Sequence, residues 1–220
     1  MKSDAQIQQD VLRELKWDPR VEETDVGVEV DQGVVTLTGT VGSYATRQAA
    51  EEAAHQVQGV LDVANDVRVQ PPGSGERTDT DIAHAVRHAL EWDTFVPHER
   101  IRSTVAQGHV TLDGTVQHWH QRDEAAVAVR PLAGVRGVTN LIAVQAPAGE
   151  GERVREAIEQ ALERRAEREA QRIQVAVRDG TVTLTGSVPS WAAKQAVLGA
   201  ARFTPGVRTV DDHLRITLNA

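Results

Sequence analysis

His84 and His88 stand four residues apart, a spacing that places two imidazoles on one helical turn and can chelate a metal ion. Six of the eight histidines fall in the same stretch: His84, His88, His98, His109, His118 and His120. The pair lies off the apolar stripe Ile82/Val86/Leu90, and the spacing offers no third ligand. The expectation is therefore no metal site, with a proton response near neutrality the better use of such a cluster. Other chemistry has less to stand on. The chain has no cysteine, which excludes thiolate nucleophiles, thiolate metal sites and disulfides. No G-x-S-x-G, H-E-x-x-H or Walker sequence occurs. Carboxylates abound, but none recurs in a context that reads as buried. Neither catalytic residues nor a cofactor are expected.

The aromatic side chains are a better lead, because there are seven of them and five occupy two recurring positions. Tyr44, Trp119 and Trp191 share one position, and Trp17 and Trp92 share another. Amphipathic rings can cover the ends of a thin aliphatic core. They can also anchor a protein at a lipid or protein interface, since Trp and Tyr favour the membrane–water boundary. Under the second reading Trp119 and Trp191 come first, with Tyr44 beside them. Where the first two copies carry Trp-Asp, the third carries Arg164-Arg165, within a run rich in both arginine and glutamate. Mixed charge of this kind reads as a solvated, ion-paired helix. Its alternative is contact between the arginines and anionic headgroups.

Composition bounds the rest. A 220-residue chain with 40% hydrophobic and 25% charged residues belongs with ordinary globular proteins, and its core must be mainly Val, Ala, Leu and Ile. No stretch approaches the ~20 apolar residues that a membrane-spanning helix needs. A net charge of −8 argues against general nucleic-acid binding, which requires a basic surface. The charge is uneven: −7 over residues 1–71, −2 over 79–146 and +1 over 147–220. The opening MKSDAQIQQDVLREL has no apolar stretch behind its lysine. The expected location is the cytoplasm, or the periplasm if a leader has been removed.

These residues are positioned by a repeat. GVVTLTGTV from Gly33, GHVTLDGTV from Gly108 and GTVTLTGSV from Gly180 begin 75 and then 72 residues apart. The same offsets relate Gly39, Gly114 and Gly186, and likewise Gly59, Gly134 and Gly206. Pro/Gly-rich segments separate the copies, giving domains at 1–71, 77–146 and 151–220. Each copy opens with a helix whose apolar residues fall four apart: Ile7/Val11/Leu15, Ile82/Val86/Leu90, Val154/Ile158/Leu162. Period-two alternation follows, as in Val26/Val28/Val30, then a turn at Gln32-Gly33, Gln107-Gly108 or Asp179-Gly180. The return strand alternates again, through Val35/Leu37/Val41 and its equivalents. Ser43 and Ser190 are suited to cap a second helix, where the middle copy has His118. That helix buries small residues such as Ala50, Ala53 and Ala54, and Gly59, Gly134 and Gly206 are expected at its left-handed C-terminal cap. A last strand runs through Val63, Val67 and Val69 or their counterparts. Gly39, Gly114 and Gly186 interrupt strands, where a bulge or close packing is the usual reason.

The predicted fold is α+β: three tandem α-β-β-α-β domains, each a three-stranded mixed sheet with two helices on one face. A right-handed crossover makes the strands flanking the second helix parallel. The motifs TLTGTV with QGVLDV, TLDGTV with AGVRGV, and TLTGSV with PGVRTV resemble the BON domain, a family named for bacterial OsmY and nodulation proteins. That resemblance implies the same fold, no catalytic activity, a role in osmotic or envelope stress, and contact with phospholipid surfaces or envelope proteins. The leading expectation is a stress-response protein contacting anionic phospholipid or a membrane-associated protein through Tyr44, Trp119, Trp191, Arg164 and Arg165. The alternatives are a soluble interaction scaffold or holdase, and an ion or small-ligand sensor.

Overall fold

The computed structural model describes residues 2–71, 77–145, 151–165 and 173–217; for 162–165 it gives the backbone course alone. Helix α1 (Asp4–Trp17) starts at Ser3, whose hydroxyl accepts from the Gln6 amide while the Gln6 side chain accepts from the Ser3 amide. This reciprocal cap satisfies two donors that the first turn would otherwise leave bare. Helix α3 (Asp79–Trp92) begins the second unit the same way with Thr78 and Asp81, and α5 (Gly151–Arg165) opens the third. Ile7, Val11 and Leu15 of α1, and Ile82, Val86 and Leu90 of α3, are buried as the four-residue spacing requires.

Each first helix leads into a hairpin: β1 (Val26–Asp31) with β2 (Val34–Val41), β5 (Ile101–Ala106) with β6 (His109–Val116), and β9 (Ile173–Arg178) with β10 (Thr181–Val188). In the first pair Val28 lies opposite Leu37 and Val30 opposite Val35. The turns have positive φ at both central residues, as in Gln32 (50°) and Gly33 (79°), the geometry that matches the twist of a two-residue hairpin. Second helices α2 (Tyr44–Gln56), α4 (Trp119–Val129) and α6 (Trp191–Arg202) cross over to the last strand. That strand is β3 (Asp62–Asn65) and β4 (Arg68–Val69) in the first unit, β7 (Gly137–Asn140) and β8 (Ala143–Val144) in the second, and unbroken β11 (Thr209–Ile216) in the third. All of these segments run parallel to the central strand of their unit. Each unit is thus a mixed sheet with its middle strand central and its own aliphatic core beneath two helices.

Gly39 and Gly114 explain themselves in this frame. A Cβ on Gly39 would stand 2.0 Å from the Asp25 carbonyl oxygen, and one on Gly114 would stand 2.1 Å from that of Arg100. The short 3-10 turns ending at Asp25 and Arg100 lie directly against the strand, at φ of 125° and 138°, so only glycine fits. Gly59 and its equivalents are placed differently from the expected cap. α2 ends at Gln56 with Val57 as its cap residue, so Gly59 lies in the turn beyond, packed over Ile7. The middle copy also solves its poor cap locally: the Gln121 side-chain oxygen accepts from the amides of His118 and Gln117.

Candidate functional site

Two polar devices hold the second helix and the hairpin of a unit in place. In the first, Asn65 Nδ2 donates to the Arg47 carbonyl on α2 while Arg47 donates to the Asn65 carbonyl at 2.7 Å. Asn140 and Arg122 repeat this in the second unit. The third unit carries Asp212 and Lys194 at those positions, joined by a 2.8 Å ion pair. In the second device, the Asp4 carboxylate accepts from the amides of Gln32 and Gly33, both at 3.0 Å, tying the start of α1 to the hairpin turn. Asp79 does the same for Gln107 and Gly108, both at 2.8 Å. Neither device stands out in the sequence. An acid in a first helical turn reads as ordinary complement to the helix dipole, although alignment of the repeats shows Arg/Arg/Lys set against Asn/Asn/Asp.

With the second helices so fixed, their ends meet. Tyr44, at the start of α2, is 9% exposed and buried in the core cluster of the second unit. Trp119, at the start of α4, is half-buried, with the guanidinium of Arg202 from the last turn of α6 5.3 Å from its ring centroid. Trp191, at the start of α6, stacks on His55 in the last turn of α2, with centroids 3.9 Å apart and ring planes 12° from parallel. The first unit thus reaches the second, the second the third, and the third the first. The starts of the three second helices are repeat-equivalent and each touches another unit, so the three units close into a ring. Tyr44, Trp119 and Trp191 are thus placed one at each of three junctions, the hub of the molecule, rather than displayed on an open face.

The hub is electrostatically unusual. Arg122 also lies 5.3 Å from the Trp119 centroid, so two guanidiniums lie over this one indole. Trp119 Nε1, Arg202 Nε and His55 Nδ1 are all sealed from solvent and meet no hydrogen-bond partner among the described residues. Burial pushes the His55 imidazole below its ordinary pKa, outweighing the opposing pull of Glu51 and Asp62.

The other aromatic position has the opposite fate. Trp17 and Trp92 end α1 and α3 and are 78% and 83% exposed; Phe95, in the loop after Trp92, is 65% exposed. Beside Trp17, hydrogen bonds from the Arg20 side chain hold the Asp18 carboxyl below its usual range. Arg164 and Arg165 end α5 at the corresponding place, and their side chains lie outside the described residues, as do Arg168 and Arg172 entirely. Trp17, Trp92 and the end of α5 thus mark the same rim of their respective units. His84 and His88 are exposed on α3, and no group of three or more metal-binding side chains occurs among the described residues. No helix among them is long and apolar enough to cross a membrane.

Comparison with known proteins bears on this architecture. The BON domain matches the chain three times, at residues 3–71, 78–146 and 151–217. Osmotically-inducible protein Y of Escherichia coli is 31% identical over 141 residues, a span covering 62% of this chain and 70% of that protein. Among solved structures, the C-terminal domain of CdsD, the structural protein of the Type III secretion system of Chlamydia trachomatis, aligns over 99% of this chain and all of that one. It does so at 13% identity and a TM-score of 0.27, and a second CdsD structure covers 97% of this chain and 93% of its own at 14% and 0.28. Those scores carry nothing about how these units are arranged.

Proposed function

The chain belongs to the BON-domain family, and from that membership we propose that it is a non-enzymatic binding protein of the osmotic and envelope stress response, meeting an anionic phospholipid surface through the aromatic rim of its first two units. Its likeness to an osmotically inducible protein supports the stress role. The observation that carries the surface reading is the exposure of Trp17 and Trp92, at 78% and 83%, in equivalent positions of the first two units. A protein that leaves two indoles and Phe95 in water forgoes favourable burial at each of them. Indole is the side chain best suited to the headgroup region, where its apolar body and polar N–H are both accommodated. Arg164 and Arg165 hold the equivalent sequence positions in the third unit, and cations there suit an anionic surface.

Flotation with anionic and with neutral vesicles, following tryptophan emission at low and high salt, tests this reading. Salt-sensitive binding to the anionic vesicles, with a blue-shifted emission that falls in Trp17→Ala and Trp92→Ala chains, supports it. Absence of binding to either vesicle removes the lipid reading and transfers the rim to a protein partner.

A further inference from the structure

We infer that His55 is a proton-operated latch: its protonation releases the contact between the first and third units and opens the ring there, while the other two junctions hold. The repeat makes the case. Residues 55, 130 and 202 are equivalent, each falling at the C-terminal end of a second helix, and they are His, Arg and Arg. A guanidinium keeps its charge at every physiological pH, whereas an imidazole changes charge near neutrality. The junction at Trp119 is closed by Arg202, and that at Tyr44 by burial in an aliphatic core. Among the hub contacts described above, the one that titrates near neutrality is His55 on Trp191.

It is also the junction with no covalent tether. The first and second units are consecutive in the chain, as are the second and third, whereas the third meets the first only by packing. Release at His55 therefore yields an opened chain of three units, with no loss of a subunit and no unfolding of any core.

The geometry sets the direction. His55 is 7% exposed, and its Nδ1 is sealed and meets no acceptor, so a proton placed there would be a buried, unpaired charge. The groups facing it are few. From α6 comes Trp191, with the Lys194 ammonium 5.9 Å from the centroid of the same indole and paired to Asp212. From the start of β3 comes Asp62, and from its own helix Glu51, whose carboxylate accepts from Asn65 at 2.9 Å. The two carboxylates favour the imidazolium, but burial outweighs them. An imidazolium is drawn to an indole face, as the Arg202 guanidinium is to Trp119, yet Arg202 is only partly buried whereas His55 is 7% exposed, so a charge there loses more of its water. The closed ring thus holds the proton less tightly than an opened one, in which the imidazole regains its ordinary pKa of about 6.5. Closure is favoured above that value and is lost as pH falls through it, by up to about tenfold in the open-to-closed ratio per pH unit. Opening uncovers Trp191.

The chain has no cysteine, so spin labels can be placed at will on the full-length protein. Glu22→Cys and Arg215→Cys, both exposed, report the distance between the first and third units. Glu22→Cys with exposed Arg102→Cys reports the first against the second. Measured by pulsed dipolar spectroscopy between pH 7.5 and 5.0, the first distance is expected to lengthen and broaden on acidification while the second stays unchanged. A His55→Phe chain keeps a flat ring on Trp191 without a proton site and should stay closed throughout. His55→Arg carries a fixed charge at the same place, so its first distance should not change between pH 7.5 and 5.0, and it serves as the pH-insensitive reference if the Phe variant misfolds by circular dichroism. A His55→Ala chain should be open at both pH values. An unchanged first distance in the unsubstituted chain at pH 5.0 overturns the latch. So does a His55→Phe or His55→Arg chain that opens with the same midpoint, or a His55→Ala chain that stays closed.

Discussion

Two aromatic positions recur through this chain, and they end in opposite environments. Tyr44, Trp119 and Trp191 begin the second helices and lie between units. Trp17 and Trp92 end the first helices and lie in water. Within a single unit both positions project from the end of a helix beyond the aliphatic core. What separates them is the neighbour. The start of each second helix meets the adjoining unit around the ring, and the aromatics that end α1 and α3 are left in water. Recurrence of an aromatic thus marks a position as important to the repeat without saying whether it serves assembly or an outside partner.

The comparison can be broken most severely from beneath. Gly114→Ala would drive a methyl group to within 2.1 Å of the Arg100 carbonyl and strain a residue at φ 138°. A loss of about 4 kcal/mol is expected, read as a lowered urea midpoint, because the strand cannot keep both its pairing and its register. Both aromatics of the second unit should become mobile together. Next in size is Trp119→Ala, which removes the half-buried indole beneath Arg122 and Arg202. It should cost about 2 kcal/mol and increase the radius of gyration in small-angle scattering, whereas Trp17→Ala should leave that radius unchanged. Equal effects from the two would dissolve the distinction.

Smaller still is Asn140→Ala, which deletes the donor to the Arg122 carbonyl and the acceptor for the Ile142 amide. A loss of about 1–2 kcal/mol follows from those bonds, and slower thermal unfolding than that of the unsubstituted chain would contradict it. Because Arg122 also faces Trp119, tryptophan emission should shift as well, showing that the hub is positioned from within its own units. Trp92→Ser should change stability by less than about 0.5 kcal/mol while reducing recovery with anionic vesicles.

Much of the fold was legible because it is periodic. The four-residue stripes of α1 and α3, the alternation in the hairpins and the Gln-Gly and Asp-Gly turns are local patterns with a single cheap solution, and the structure adopts it. Strand glycines signalled a close approach, but its source, the carbonyls of Asp25 and Arg100, lies in short turns with no marked pattern of their own. The Asp4 and Asp79 carboxylates were invisible as tethers, since their partners are amides 28 and 29 residues away with no side-chain identity to read. The C-terminal glycines of the second helices fell beyond the cap because those helices stop at Gln56, Val129 and Arg202, which no residue type announces.

By itself the sequence determined three α-β-β-α-β units and the aliphatic stripes of their cores, because secondary-structure periodicity and turn chemistry act over a few residues and each unit repeats them. Only the tertiary structure decided that the units close into a ring, that Tyr44, Trp119 and Trp191 line its joints, and that His55 stacks on Trp191 at one of them. The reason is physical. A side chain on the outside of a small unit has no local pattern that distinguishes water from a neighbouring unit, and that distinction arises only when the units meet.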